Sequence, residues 1–190
     1  DVFEYQCGRG VHIAAPAAAE LGALAASAGI GLSVHAPYFI SLSSVEEEKR
    51  KNSARYLLES AAVVVPMGGR RIILHSGSCG KLPREQALAL AKDTLRYCLA
   101  ELDAAGYADV TLCPETMGKI NQLGTLEEVM ELCSLDERLV PCIDFGHLNA
   151  RMHGGIASKQ DYAAILDTVE DRLGHERLRT FHSHFSKIEY

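Results

Sequence analysis

The sequence lacks any pair of cysteines spaced as CxxC; its six cysteines, at 7, 79, 98, 113, 133 and 142, are scattered. That argues against a disulfide framework and against a cysteine zinc site. Each is expected to be a reduced, small, buried apolar residue in a cytoplasmic protein. Long hydrophobic runs are missing too. The longest, around residues 61–67, is far too short to cross a bilayer. The opening DVFEYQCGRG lacks the charged-then-apolar order of a signal peptide. No GxGxxG or Walker pattern occurs, and the Gly-Gly pairs at 68–69 and 154–155 read as turns. Nor is there a low-complexity linker, so one domain over residues 1–190 is expected. A net charge of −6 gives no general attraction to nucleic acid, although it leaves room for a locally basic face.

What is present is a regular alternation of short β-rich runs and longer helical runs. Residues 2–5, 32–35, 72–75, 110–113, 140–143 and 178–181 read as strands. Several are continuously apolar, as in sheets buried on both faces. Helices are expected over about residues 16–29, 44–68, 83–106, from 125 onward, and 158–174, with Ser44/Glu47 and Thr125/Glu128 as capping boxes. The alternation implies a parallel sheet with helical crossovers, an α/β fold. Six strands fit an open doubly wound sheet, or a (β/α)8 TIM barrel that is incomplete, with about six βα units. The placement of the candidate chemical residues favours the barrel. An open sheet usually draws its site from two or three strands, and here the candidates end five.

Those candidates are His35, His75, Glu115, Asp144, His147 and His182. All lie at the carboxyl ends of expected strands, the face where barrel enzymes keep their active sites. A lone histidine there is more often a hydrogen-bonded core residue than a ligand. The signal is the coincidence: every strand-end loop from the second to the sixth carries a His, Asp or Glu. Imidazole and carboxylate together suit zinc, manganese or iron. Asp144 and His147, three apart on a tight turn, can face one ion, and Glu115 has two oxygens with which to bridge two. Six protein ligands exceed the needs of one catalytic zinc, so the count favours at least two ions. Paired ions suit phosphate binding and water activation. His184 is expected to be turned away from His182, as an extra ligand or a supporting group. Arg9, Lys81, Lys119, Arg151 and Lys187 fall in or beside loops on the same face, as a phosphate-binding mouth or as solvated charge. Taken by themselves, Tyr38 and Phe39 read as packing at the barrel rim.

The motifs HAPYFISL, HSGS, ETMGKINQLG, CIDFGH and FHSHFSK stand in that order over nearly the whole chain. In them the sequence resembles the endonuclease IV family of apurinic/apyrimidinic endonucleases, within the xylose-isomerase-like TIM barrels. The resemblance implies a barrel holding two or three Zn2+ ions when complete, with Mn2+ as the alternative. It implies His35, His75, Glu115, Asp144, His147 and His182 as ligands, with Glu115 as the bridging, catalytic carboxylate. It implies a partner, double-stranded DNA with abasic sites, cut 5′ to the lesion and contacted by Arg9, Tyr38 and Phe39. The complete protein is expected to be a monomer with no membrane partner. The family's Asp-x-His pair, its closing strand-end glutamate and its first strand have no counterpart here. The barrel is therefore expected to lack its first and last strands, to bind metal weakly and to expose two strand edges. Two other readings stand beside this one. The first is a sugar isomerase or epimerase with one metal on Glu115, Asp144 and His182, for which His35 and His75 are superfluous. The second is a non-catalytic barrel.

Overall fold

The computed structural model describes residues 1–185. Six strands alternate with helices in the order β1 (Val2–Gln6), α1 (Ala15–Ser27), β2 (Gly31–His35), α2 (Glu47–Val64), β3 (Arg71–Leu74), α3 (Arg84–Ala104), β4 (Thr111–Pro114), α4 (Leu126–Cys133), β5 (Cys142–Asp144), α5 (Phe145–Arg151), α6 (Lys159–Leu173), α7 (His175–Thr180) and β6 (His182–His184). Strands β1 to β4 pair in chain order and β5 pairs with β6, all parallel. Single parallel bridges at Leu112–Leu139 and Glu115–Cys142 join the two groups. The strand order therefore never reverses, as it would at the switch point of a doubly wound sheet. The result is an incomplete TIM barrel. Among the described residues β1 and β6 do not pair, and a cavity of about 1080 Å³ opens along the seam between them.

Strand alternation divides the apolar residues between two cores. Val34, Ile72, Leu74, Leu112 and Ile143 point outward and pack with Leu57, Ala61, Leu95, Leu99 and Val129 of the surrounding helices. Ile73, Cys113, Val140 and Cys142 point inward and form a small apolar plug inside the barrel. All six cysteines are buried and unpaired. No helix among the described residues is long and apolar enough to cross a membrane.

Three local expectations need correction. Residues 178–180, read as strand, belong to α7, and the strand follows at His182–His184. A four-residue segment such as Leu178-Arg179-Thr180-Phe181 is too short for its pattern to separate strand from helix. Here Gly174, at φ 86°, restarts the chain as a helix, and Arg177 fastens that helix to the carbonyls of Cys133 and Asp136. The Ser44/Glu47 capping box does not form. Helix α2 begins at Glu47, and the Ser44 hydroxyl accepts the Glu46 N–H at 3.2 Å in a turn before it. Helix α5 stands where the sequence pattern shows only a tight turn: Asp144 ends β5 and also caps α5, accepting the His147 N–H at 2.7 Å.

The Thr125/Glu128 capping box does form, and it secures the loop that follows Glu115. The Glu128 carboxylate accepts the N–H groups of Gly124 (2.8 Å) and Thr125 (2.9 Å), and both of its oxygens take Arg84. Arg84 also donates to the carbonyls of Ile120 (2.8 Å) and Gln122 (2.7 Å). Gly124 is required at this turn. Its φ is 138°, and a Cβ there would meet Met117 at 2.6 Å. Glu128→Ala removes the carboxylate half of the capping box, leaving the Gly124 and Thr125 N–H groups and the Arg84 fork without their acceptor, so a loss of about 2–4 kcal/mol is expected. Urea unfolding measures it, and an unchanged midpoint would show that the loop is held by other contacts.

Candidate metal centre at the barrel mouth

The inward side chains lie in two layers, because residues two apart on a strand share a face. The upper layer sits at the carboxyl ends of the strands. It holds His35 from β2, His75 just past β3, Glu115 just past β4, Asp144 from β5 and His184 from β6. The lower layer holds Glu4, Ser33, Ile73, Cys113, Cys142 and His182.

Glu115 is the centre of the upper layer, with its side chain only 2% exposed. Its Oε2 lies 3.2 Å from His35 Nε2 and 3.1 Å from His75 Nε2. Its Oε1 lies 3.0 Å from His184 Nδ1 and 3.4 Å from His147 Nδ1. Asp144 Oδ2 stands 3.4 Å from His147 Nδ1 and 3.8 Å from His184 Nδ1. Burial alone would raise the Glu115 pKa. Hydrogen bonds from His147, His184, His35 and His75 outweigh it and hold the carboxyl far below the usual range. The histidines respond in kind. Burial pulls His184 down, but Glu115 and Glu4 carry it from the ordinary 6.5 up to about 10. His35 is also raised, its burial outweighed by Glu115 and the Ala36 carbonyl, and the Glu115 hydrogen bond raises His147.

Backbone contacts aim these rings. His35 Nδ1 lies 2.9 Å from the Ala36 carbonyl, so its Nε2 faces Glu115. His147 Nδ1 lies 2.9 Å from the Thr116 carbonyl. The Asp144 N–H donates to the Thr116 hydroxyl at 2.8 Å, which ties β5 to the end of β4.

Of the six candidates read from sequence, His35, His75, Glu115, Asp144 and His147 converge here. His182 does not contact Glu115. It sits one layer deeper, with Nε2 2.9 Å from Glu4 Oε2. His184 holds the place beside Glu115 and is not turned away from His182; the two rings are 5.3 Å apart and both face Glu4. The reason is parity: in an H-x-H strand both histidines point inward, and the second is nearer the mouth. Glu4 is a site residue that the sequence reading lacks altogether. Its signal is a charged residue in the middle of the strand VFEYQ.

Tyr38 and Phe39 are 56% and 53% exposed at the rim. The Tyr38 ring stacks on His75 at 5.6 Å, and Phe39 leans on Tyr56 at 5.9 Å. Arg9, Lys81 and Lys119 are exposed. Arg151 differs from the basic-mouth reading. Its guanidinium is turned onto the carbonyls of Met117, Lys119 and Ile120 at 2.9–3.1 Å. Lys187 lies outside the described residues.

The donor set fits a divalent ion. His35, His75 and Glu115 form one group, and Glu115, Asp144 and His147 form another that shares its carboxylate. The spacings of 3.0–3.2 Å from Glu115 to His35, His75 and His184 are close to the edge of about 3.3 Å expected of tetrahedral zinc with Zn–N near 2.0–2.1 Å, and His147, whose Nδ1 is engaged by the Thr116 carbonyl, has Nε2 left as its donor atom. Cys142, His182 and His184 form a third group beneath.

Among curated relatives, an uncharacterised protein of Methanocaldococcus jannaschii is 37% identical over 158 residues, covering 83% of this chain and 57% of its own length. A probable endonuclease 4 of Mycoplasma pneumoniae is 30% identical over 162 residues, covering 83% and 54%. The chain thus spans little more than half the length of these relatives. Endonuclease IV from Thermus thermophilus superposes with a TM-score of 0.62 at 26% identity, over 87% of this chain and 58% of that one. D-psicose 3-epimerase from Clostridium cellulolyticum superposes with a TM-score of 0.71 at 17% identity, over 98% and 63%, a likeness of fold alone. Residues 1–189 match the family described as the xylose isomerase-like TIM barrel. With its parallel strands in unbroken order and its inward histidines and carboxylates, the chain belongs to the xylose isomerase-like TIM barrel family and is related within it to endonuclease IV.

Proposed function

We propose that the protein is a metal-dependent phosphodiesterase that cleaves DNA 5′ to abasic sites, with zinc as its metal. The observation that carries this reading is Glu115, whose two oxygens each face their own pair of imidazoles. That arrangement offers two ion positions sharing one carboxylate. A sugar epimerase that works with one metal has no use for both His35 and His75.

His35, His75, Glu115, Asp144, His147 and His184 would hold the ions. When bound, paired divalent ions supply the charge that binds a phosphodiester, activates water and stabilises the leaving oxygen. The protein's own groups do the rest. The backbone anchors on His35 and His147 keep those rings from reorienting. The Thr116 hydroxyl holds the Asp144 backbone, so Asp144 keeps its place as substrate arrives. Tyr38, exposed over His75, offers a stacking face beside the centre, with Phe39 next to it and Arg9 to meet a phosphate. The deciding experiment gives the zinc-loaded chain a duplex with one abasic site and, separately, a ketohexose. Strand cleavage 5′ to the lesion supports the proposal; epimerised sugar with intact DNA rejects it.

Further outcomes are expected of the same site. Glu115→Ala should lose bound zinc and cleavage together, while Glu115→Gln keeps the fold and binds zinc more weakly. Wild-type cleavage by Glu115→Ala would remove Glu115 from the mechanism. Tyr38→Ala should weaken binding to abasic DNA by about 1–3 kcal/mol with zinc content unchanged. Unaltered DNA affinity would assign Tyr38 to rim packing.

The pH dependence follows from the shifted groups. The contribution of His184 is complete below about 6.5 and fades as pH climbs towards about 10. That of Glu115 is complete above about 4.5 and fades as pH falls. The chelated protein should therefore melt highest between about pH 4.5 and 6.5, with a decline on the alkaline side. Zinc must displace the imidazole protons, so the stabilisation it adds should grow as pH rises. Thermal melts with chelator and with zinc check this; a chelated protein that melts higher at pH 9 than at pH 6 contradicts it.

A further inference from the structure

Glu4 lies on β1, at the far side of the open seam from β6. Its side chain is 13% exposed. Its carboxylate reaches both histidines of β6: Oε2 is 2.9 Å from His182 Nε2, and Oε1 and Oε2 are 3.1 and 3.2 Å from His184 Nε2. Gln6 Nε2 donates to Glu4 Oε1 at 2.7 Å, and the Ser33 hydroxyl approaches Oε2 at 3.4 Å. No backbone ladder joins β1 to β6 among the described residues, so these side chains bridge strands 180 residues apart in sequence. On its other edge His184 meets Glu115, 3.0 Å from Nδ1. One imidazole thus stands between two carboxylates.

We propose that Glu4 is the positioning residue of the metal centre: it accepts the Nε2–H of His184, and so presents Nδ1 as the donor atom at Glu115. A ring nitrogen serves as a ligand only through its lone pair, and the hydrogen bond at the other nitrogen decides which one is free. The carboxylate also fixes ring rotation, because a flipped ring would leave a half-buried N–H without a partner. His182 fills the second oxygen of Glu4 and holds that carboxylate in place. The assignment rests on the metal reading above.

The test compares zinc affinity in the wild-type chain, Glu4→Leu, Glu4→Gln, His184→Ala and the Glu4→Leu/His184→Ala pair, together with nitrogen NMR of the histidine rings. Glu4→Leu, close to Glu in size, should weaken zinc about 10–100-fold. Glu4→Gln should restore most of that loss, because an amide oxygen also accepts from Nε2–H. In the His184→Ala background Glu4→Leu should add little, since its effect travels through that ring. Zinc-loaded wild-type protein should show His184 protonated on Nε2. Three results would overturn the proposal: unchanged affinity in Glu4→Leu, an equal loss with and without His184, or His184 protonated on Nδ1. The last is read in the wild type, so it decides even where Glu4→Leu does not fold. Failure of the wild-type chain to bind zinc would sink the metal reading instead. The role of Glu4 is then judged in zinc-free protein, where Glu4→Gln should move the ring shifts of His184 and leave those of His75 in place.

Discussion

A carboxylate buried at the heart of a barrel must be compensated, since an ionised group stripped of water and left unpaired costs several kcal/mol. Glu115 meets that requirement with imidazole on four sides. The rest of the upper barrel follows from it. His35 comes from β2, His75 from just past β3, His147 from the first turn of α5, and His184 from β6. Each is delivered by a different element, so the charge of Glu115 is balanced only when all of those elements are docked. Protons on the histidines play this balancing role in the metal-free chain, and a divalent ion held by the same side chains would take it over by replacing them. Folding and metal loading are in this sense two solutions to one electrostatic problem.

Register makes the convergence possible. The inward set on each strand recurs every second residue, and a slip of one would carry the whole set to the helix-facing side. The parallel ladders pin this down: Gln6 opposite His35, Ile73 opposite Cys113, Asp144 opposite His184. The lower layer is small where strands are paired, as at Cys113 and Cys142. It becomes polar where the seam opens, as at Glu4 and His182. The apolar plug beneath the site therefore gives way to charge at the one place where backbone pairing is absent among the described residues.

Much of this is legible in the residues. The alternation of apolar runs with capped helices marks an α/β fold, and the clustering of His, Asp and Glu at strand ends points to barrel curvature. The Thr125/Glu128 box is readable because it needs only local geometry. What does not show is set by tertiary context. Residues 178–181 are too short a run for period to separate strand from helix, and misplacing that strand puts His182 at the mouth in place of His184. Helix α5 hides because Asp144 serves as strand end and helix cap at once. Glu4 carries no motif, and its meaning appears only when the first and last strands are brought face to face. Arg151 looks like a phosphate ligand in sequence, and only the fold shows its guanidinium turned inward onto carbonyls.

The loop from Met117 to Gln122 has one more consequence. It carries no helix or strand, yet Arg84 and Arg151, from two different helices, converge on its carbonyls and share those of Ile120 and Gln122. A surface loop so fastened has already lost its conformational freedom before any ligand arrives. A molecule landing on it meets a rigid platform next to Glu115, and the entropy of ordering that platform is not subtracted from the affinity. Complementarity of shape and charge then governs which molecules stay, rather than the capacity of the loop to mould itself around them.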